Sequence, residues 1–279
     1  MPKVSVLVPL YNTDHQQLRE MIDSVLAQTF KDFELILLND SPENQSLRQI
    51  VESYTDPRIR YEENPKNIGI SPSRNRLIDL ACGEYLAIHD HDDISFPYRF
   101  AKQVEYLDAN PWVGVVSGGQ VTIPSSGKDQ TYPEDNLEIK RAMMVGCALL
   151  HPAAMIRKSV LTDNHIRYEA AYTPAEDYML WVRLMGVTMF HNLKDPLIQY
   201  RNSVSNTSHQ RVEQMKDADL RIKSAVQNLY PTFGIKNSHK KWVTLFEILP
   251  LLKIKENKKG IKIQLFGLIP IVSIKNKYL

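Results

Sequence analysis

The first third of the chain repeats one pattern: a short apolar run, a polar break, then apolar positions three and four residues apart. Residues 4–9 (VSVLVP) are a β-branched run closed by Pro9 and followed by polar Tyr11, Asn12 and Thr13. A short apolar run without alternation predicts a strand covered on both faces of a sheet. Leu18, Met21, Ile22, Val25 and Leu26 recur at helical spacing, with Thr13 or Asp14 available to cap the first turn. Residues 33–38 (FELILL) predict a second buried strand ending at Asn39-Asp40-Ser41-Pro42, and Leu47, Ile50, Val51 and Tyr54 a second helix. A short strand over 59–61 precedes a helix through Ala81, with Ser71 as cap and Pro72 at the first helical position. Gly83 ends that helix, and Tyr85, Leu86, Ala87 and Ile88 predict a further buried strand. Strands alternating with helices imply parallel β-α-β units, hence a doubly wound α/β sheet.

Beyond residue 110 the pattern changes. Residues 113–117 and 120–123 predict strands flanking Gly118-Gly119, followed by a polar loop at 124–136 and a helix near 137–145. An apolar segment, 148–156, is broken by His151-Pro152. A helix is expected over 173–185, a short strand over 197–200 before Arg201, and a long polar helix over 208–229. Residues 241–252 again have helical periodicity, and IKIQLF (261–266) and IPIVSI (269–274), separated by Gly267-Leu268, predict a β-hairpin.

Composition narrows the class. With 43% hydrophobic and 24% charged residues over 279 positions, the chain has the material for a full globular core. Two cysteines, Cys82 and Cys147, without a C-x-x-C or Cys/His cluster, argue against a disulfide framework or structural zinc and fit a reducing cytoplasm. The opening apolar run is too short for a signal-peptide core, and no stretch approaches the roughly 20 apolar residues of a membrane span. Net charge is +2, yet residues 236–279 hold ten lysines against two glutamates, a local +8 that leaves −6 elsewhere. Those lysines are interleaved with Trp242, Phe246, Leu249, Leu251 and Ile254, a basic amphipathic pattern suited to the anionic inner face of a plasma membrane. A solvated or homo-oligomerising element is the alternative. Nucleic acid is disfavoured, because this segment lacks arginines and any known reading motif.

Candidate chemistry gathers at the strand ends. Asp90, His91, Asp92 and Asp93 follow the strand over 85–88. Side chains alternate along a strand, so Asp90 and Asp92 point one way, toward the edge where ligands collect in open α/β sheets, and His91 points the other. Two carboxylates facing one way repel, and a hard dication shared with a diphosphate relieves that repulsion; acids solvating a turn are the plain alternative. Tyr11-Asn12 and Asn39-Asp40 end two other strands of the same sheet, so three separated signals converge on one crevice. The Tyr11 ring can stack on a base, and Asn39 or Asp40 can accept from a base N–H or a ribose hydroxyl. Ordinary turn chemistry explains Asn39-Asp40-Ser41-Pro42 equally well. Neither G-x-G-x-x-G nor G-x-x-x-x-G-K-[ST] occurs, which favours a metal as the neutraliser of phosphate charge.

Thr173 with Glu176 three positions later predicts a capping box, with Pro174 at the first helical position and Glu176 in a structural role. Asp177 is left over, either as an acid favourably placed at a helix N-terminus or as a reactive group. Trp181, one turn further on, belongs either to the core or under an acceptor sugar. Arg74 and Asn75, one turn into a helix, are either site residues or solvated.

VSVLVPLYN, FELILLNDS, the N-x-G-x-x-x-x-R-N stretch at 67–75, GEYLAIHDHDD and AEDYMLWVRL together resemble, in order and spacing over about the first 205 residues, the motifs of family 2 glycosyltransferases of the bacterial glycan type. The resemblance implies the GT-A fold, a Rossmann-like and mostly parallel sheet with helices on both faces, here followed by a small C-terminal helix and β-hairpin extension. Residues 1–110 would form its nucleotide-sugar half, 111–207 its acceptor half and 208–279 the extension. It implies a nucleotide-sugar donor, usually UDP-linked, against Pro9, Tyr11, Asn39, Asp40, Asn67, Arg74, Asp90 and His91. A Mn²⁺ or Mg²⁺ ion would sit on Asp92, with Asp177 as catalytic base and Asp93, His151, Glu176, Trp181 and Arg201 on the acceptor side. A helix N-terminus lowers an aspartate's pKa, so burial or nearby carboxylates must offset that if Asp177 is to take a proton. The implied reaction is inverting transfer of a hexosyl or N-acetylhexosaminyl group to a glycan hydroxyl, free or lipid-linked, in surface polysaccharide, lipopolysaccharide or glycoconjugate assembly. Asn39 stands where Asp is commoner, and Pro42 where Gly is frequent. A nucleotidyltransferase on sugar phosphates, or a non-catalytic carbohydrate- or partner-binding module, are the alternative readings.

Overall fold

A computed structural model describes residues 1–124, 132–202 and 210–231, together with the backbone of 252–257, 260–265 and 268–275. Two compact units, 1–234 and 235–279, divide the chain. The first is built on β1 (Val4–Leu10), β2 (Phe33–Asn39), β3 (Ile59–Glu63), β4 (Tyr85–Ile88), β5 (Ile94–Ser95), β6 (Val113–Ile123), β7 (Met155–Arg157) and β8 (Met189–Arg201). These form one sheet in the order β3-β2-β1-β4-β7-β6-β8-β5.

The first four strands follow their sequence pattern. Strands β3, β2, β1 and β4 are parallel, with Val6 opposite Leu35 and Ala87. Neighbouring strand residues face opposite layers, as the apolar runs require. Val4, Val6 and Val8 pack with α1 (His15–Leu26), α2 (Gln45–Glu52) and α4 (Arg99–Ala109), whereas Leu7, Ile36 and Ile88 pack with α3 (Ile70–Leu80). The second layer continues through α5 (Asn136–Ala142), α6 (Lys158–Asp163), α7 (Glu176–Leu184) and α8 (Val212–Leu229), whose Ala218, Ile222 and Val226 are fully buried in it.

The other half departs from a mostly parallel sheet. β7 inserts antiparallel between β4 and β6, and β5 pairs antiparallel with β8, so the whole sheet is mixed. Residues 113–123 are one strand, not two, because Gly118-Gly119 is a bend within it and not a turn: the register against β8 shifts there. A Cβ at Gly118 would lie 2.7 Å from the Leu197 side chain, so the bend needs a residue without one. β8 likewise extends well upstream of 197–200. α3 begins at Ile70 after Gly69, and Pro72 sits within the first turn, where backbone N–H groups have no intrahelical partner. α7 begins at Glu176 with Ala175 as N-cap and no side-chain cap, so the Thr173–Glu176 capping box does not form.

In the second unit, β9 (Leu252–Asn257), β10 (Gly260–Leu265) and β11 (Leu268–Lys275) form an antiparallel sheet. β10 and β11 make the expected hairpin, and β9 adds a third strand. The helix expected at 241–252 falls, up to residue 251, outside the described residues, as does most of the polar loop at 124–136. Among the described residues no helix is long and apolar enough to cross a membrane.

Trp181 is fully buried, its ring 5.7 Å from that of His151, which places it in the core and not under an acceptor sugar. Trp181→Ala is expected to lower stability by about 3–5 kcal/mol, the range for a large aromatic removed from a core. Urea unfolding measures this, and a loss typical of surface substitutions would remove the ring from the core.

Candidate functional site

The carboxyl ends of β1, β2 and β4 lie side by side and bring Tyr11, Asn39-Asp40 and Asp90–Asp93 to one crevice. Tyr11 is 53% exposed and available for stacking. Asn39 is buried and turned inward: its amide donates to the Ser41 carbonyl and Tyr61 Oη, and its Oδ1 accepts from the Ser41 N–H and hydroxyl. It shapes the turn and presents no acceptor to a base. Asp40 is also buried, accepting from Asn64 Nδ2 (2.7 Å), the Ile68 N–H (2.9 Å) and the Gly69 N–H (2.9 Å). Gly69 has φ +88°, a conformation that glycine reaches without strain, so Asp40 and Gly69 together fix the loop carrying exposed Asn67. Pro9 lines a small pocket with Leu7, Arg74, Leu77, Ile88 and Tyr168.

The acidic loop after β4 is held from below. His89 Nδ1 lies 2.7 Å from the Asp90 carbonyl, which only accepts, so Nδ1 carries the proton and Nε2 accepts from Ser95 Oγ at 2.9 Å. Burial and the nearby Arg99 lower His89 to about 3, keeping it neutral. Arg99 is fully buried and donates to the Ile88 carbonyl (2.7 Å), Ser95 Oγ and Gln103 Oε1. Arg201 ties the loop from the side, its N–H to Asp93 Oδ1 (2.9 Å), Nε to the Asp92 carbonyl (2.8 Å) and a terminal nitrogen to Glu20 (2.6 Å). Asp93 is buried and points into this network, so it does not line an acceptor surface. Burial, then Asp90 and Asp92, raise its carboxyl well above the ordinary range. Burial also raises Asp92, with the Asp90 charge adding to it. His91 is half-buried, and its Nδ1 has no partner among the described residues.

Across the crevice, successive turns of α3 meet residues 167–176. Ser71 Oγ lies 3.0 Å from Thr173 Oγ1, Asn75 donates to the Tyr168 carbonyl and accepts from its N–H (2.9 Å each), and Arg167 pairs with Asp79. Arg74 donates to Glu176 at 2.6 Å and to Asp90 at 3.3 Å, its guanidinium over the Tyr168 ring. Glu176 is therefore a buried ion-pair partner, not a cap. Asp177, half-buried beside it, accepts from the Tyr178 N–H. Burial, reinforced by Glu176 and opposed by Arg74, raises its carboxyl to about 6, which supplies the offset a helix-terminal aspartate requires. His151 is buried, bonded to Tyr168 Oη at 2.8 Å and held neutral by burial and by Arg74, a structural residue in this geometry.

Among the described residues, no three His, Cys, Asp or Glu side chains converge as a complete metal cage. A Mn²⁺ or Mg²⁺ ion that takes one or two carboxylates plus substrate phosphates needs no cage, and half-buried Asp92, crowded by Asp90, fits that demand. Sequence reasoning missed His89, Arg99 and Tyr168. Arg99 and Gln103 did carry a signal, because they share a helix face with Phe100, Val104 and Leu107, where a charge needs a buried partner. Tyr168 carried none, being placed by long-range pairing alone.

The family and the fold have known counterparts. The profile of the family described as "Glycosyl transferase family 2" matches residues 5–162. An uncharacterized glycosyltransferase of Methanocaldococcus jannaschii is 30% identical over 222 residues, covering 77% of this chain and 76% of that protein. S. aureus TarS in complex with UDP-GlcNAc superposes with a TM-score of 0.67 at 23% identity, over 80% of this chain and 66% of that one, just under two thirds. A Pyrobaculum calidifontis mannosyltransferase in complex with GDP-Man and Mn²⁺ gives 0.56 at 16%, over 84% and 76%. The sheet is that of the GT-A glycosyltransferases.

Since Asp40 holds the loop 64–69 through charge-assisted hydrogen bonds, Asp40→Asn is expected to expose the Ile68 and Gly69 amides. Their hydrogen exchange should quicken about tenfold or more, as loss of a bond to a charged group implies. Unchanged exchange would show the loop to be held by other contacts.

Proposed function

Because the chain belongs to glycosyl transferase family 2, we propose that it transfers a hexosyl or N-acetylhexosaminyl group, with inversion, from a UDP-linked donor to a glycan hydroxyl. The acceptor is a free or lipid-linked glycan in surface polysaccharide, lipopolysaccharide or glycoconjugate assembly. The observation that carries this reading is Asp177: a half-buried carboxylate at the head of α7, raised to about 6 by burial and by Glu176, with Asp90 of the strand-end acids also acting on it. Glu176 is unsuited to the same task, being buried and engaged with Arg74.

In this reading exposed Tyr11 stacks on the base, the loop fixed by Asp40 bounds the nucleotide, and Asp90 meets the ribose. Asp177 accepts the acceptor's hydroxyl proton as that oxygen attacks the anomeric carbon from the face opposite the departing diphosphate. Asp92 would hold a Mn²⁺ or Mg²⁺ ion, which when bound offsets charge on the leaving group. The UDP-GlcNAc bound by TarS and the Mn²⁺ bound by the mannosyltransferase support the donor and metal assignments. The lysine-rich residues 236–279 supply attraction to an anionic membrane surface, which places the enzyme beside a lipid-linked acceptor.

Asp177→Asn keeps the side-chain shape and loses proton affinity, so kcat should fall on the order of 10²–10⁴-fold while UDP binding persists. In the wild type the base works as its carboxylate. Activity therefore rises with pH through the raised value and is lost below about 6, visible as an acidic limb in kcat/KM. A variant with near wild-type turnover would assign the base elsewhere.

UDP should bind more tightly with Mn²⁺ than in EDTA, and Asp92→Ala should erase the difference. Calorimetric titration reads both, and equal affinity with and without the ion in the wild type would overturn the Asp92 assignment.

A further inference from the structure

We infer that the buried Arg74–Glu176 pair is a positioning device for the base: it locks the first turn of α7 to α3 and sets the charge that Asp177 faces. The inference rests on Asp177 acting as the base and adds the residues that keep it in place and in the right ionisation state.

Glu176 has a side chain only 6% exposed and Arg74 one 12% exposed, and they meet at 2.6 Å from positions 102 residues apart. A buried charge that loses its partner is left uncompensated, so neither member is an ornament of the helix end. The pair is one rung of a longer seam. Ser71 with Thr173 lies one turn before it, and the reciprocal Asn75–Tyr168 bonds lie beside it, so α3 presents Arg74 at a fixed height along α7. The Tyr168 ring lies under the guanidinium, with the centroid 5.5 Å from its central carbon. Arg74 also reaches Asp90 at 3.3 Å, so a single cation is shared between the strand-end acids and the head of α7.

Asp177 follows Glu176 directly, which means that whatever holds Glu176 holds the backbone from which Asp177 projects. Among the described residues, the charged and titratable groups acting on Asp177 are Glu176 on its own helix, Arg74 from α3, Asp90 after β4, Tyr168 from the segment before α7, and Tyr132 and Cys147 from the segments flanking α5. Only one of these is a cation. Glu176 and Arg74 act on Asp177 with opposite sign, so removing one member alone unbalances the site in a direction set by its charge, whereas removing both returns the balance. A merely structural pair would not produce that sign reversal.

The test is the pH profile of kcat/KM, which reports the free enzyme, for Glu176→Gln, Arg74→Gln, Arg74→Lys and the double variant Arg74→Gln/Glu176→Gln, each checked for folding by thermal unfolding. Glu176→Gln should move the acidic limb to lower pH by about one unit and Arg74→Gln should move it to higher pH by about as much, the scale of a nearby charge. Arg74→Lys keeps the charge and should leave the limb in place. The double variant should restore the limb while kcat falls about 10- to 100-fold, because the base is no longer held in register. If a single variant fails to fold, the double variant, which buries no lone charge, decides. Limbs that stay fixed in folded single variants, or a folded double variant with wild-type kcat, would overturn the inference. An inactive Asp177→Asn alongside such results would confine the failure to the clamp, whereas an active Asp177→Asn would place it in the choice of base.

Discussion

Five carboxylates, Asp90, Asp92 and Asp93 after β4 and Glu176 and Asp177 at the head of α7, act on one another through Asp90, and the architecture around them is organised against that repulsion. Three arginines answer them from three directions. Arg99 lies fully buried beneath the acidic loop, Arg201 binds it from β8, and Arg74 spans from α3 to Glu176 and Asp90. Each arginine also grips the backbone or a neighbouring element, so charge balance and shape are secured by the same contacts. Asp92 and Asp177, both half-buried with carboxyls raised by burial, are the acids with a chemical task in the proposed reaction.

How these residues come together explains what sequence could and could not reveal. The strand ends after β1, β2 and β4 were legible because a parallel sheet places successive carboxyl ends on one edge, so local runs such as FELILLND carry global information. The second half was less so. Gly118-Gly119 looks like a turn because nothing nearby in sequence reports that β8 must bend past it, and that fact lives in the contact with Leu197. Thr173 and Glu176 have the spacing of a capping box, yet each finds a partner on α3 instead: Thr173 takes Ser71 and Glu176 takes Arg74. Tertiary pairing with a buried cation outcompeted a local hydrogen bond worth about 1 kcal/mol.

The donor-side assignments show the same division. Asn39 and Asp40 sit where the motif puts them, but their side chains are consumed in shaping the turn and the loop that ends at Gly69. In the proposed reading they act on a nucleotide through the walls they build. Tyr11, by contrast, has no such internal duty and stands open at the end of β1.

The seam between α3 and residues 167–176 has a consequence for how such a protein diversifies. Its paired residues are 88 to 102 positions apart, and the bonds across it depend only on where the chain leaves and where it returns. Surface loops between those points can lengthen, shorten or change composition without disturbing the register of Asp177 against α3. In the proposed reaction, recognition of the acceptor can thus drift along one stretch of the chain while the base stays anchored by another.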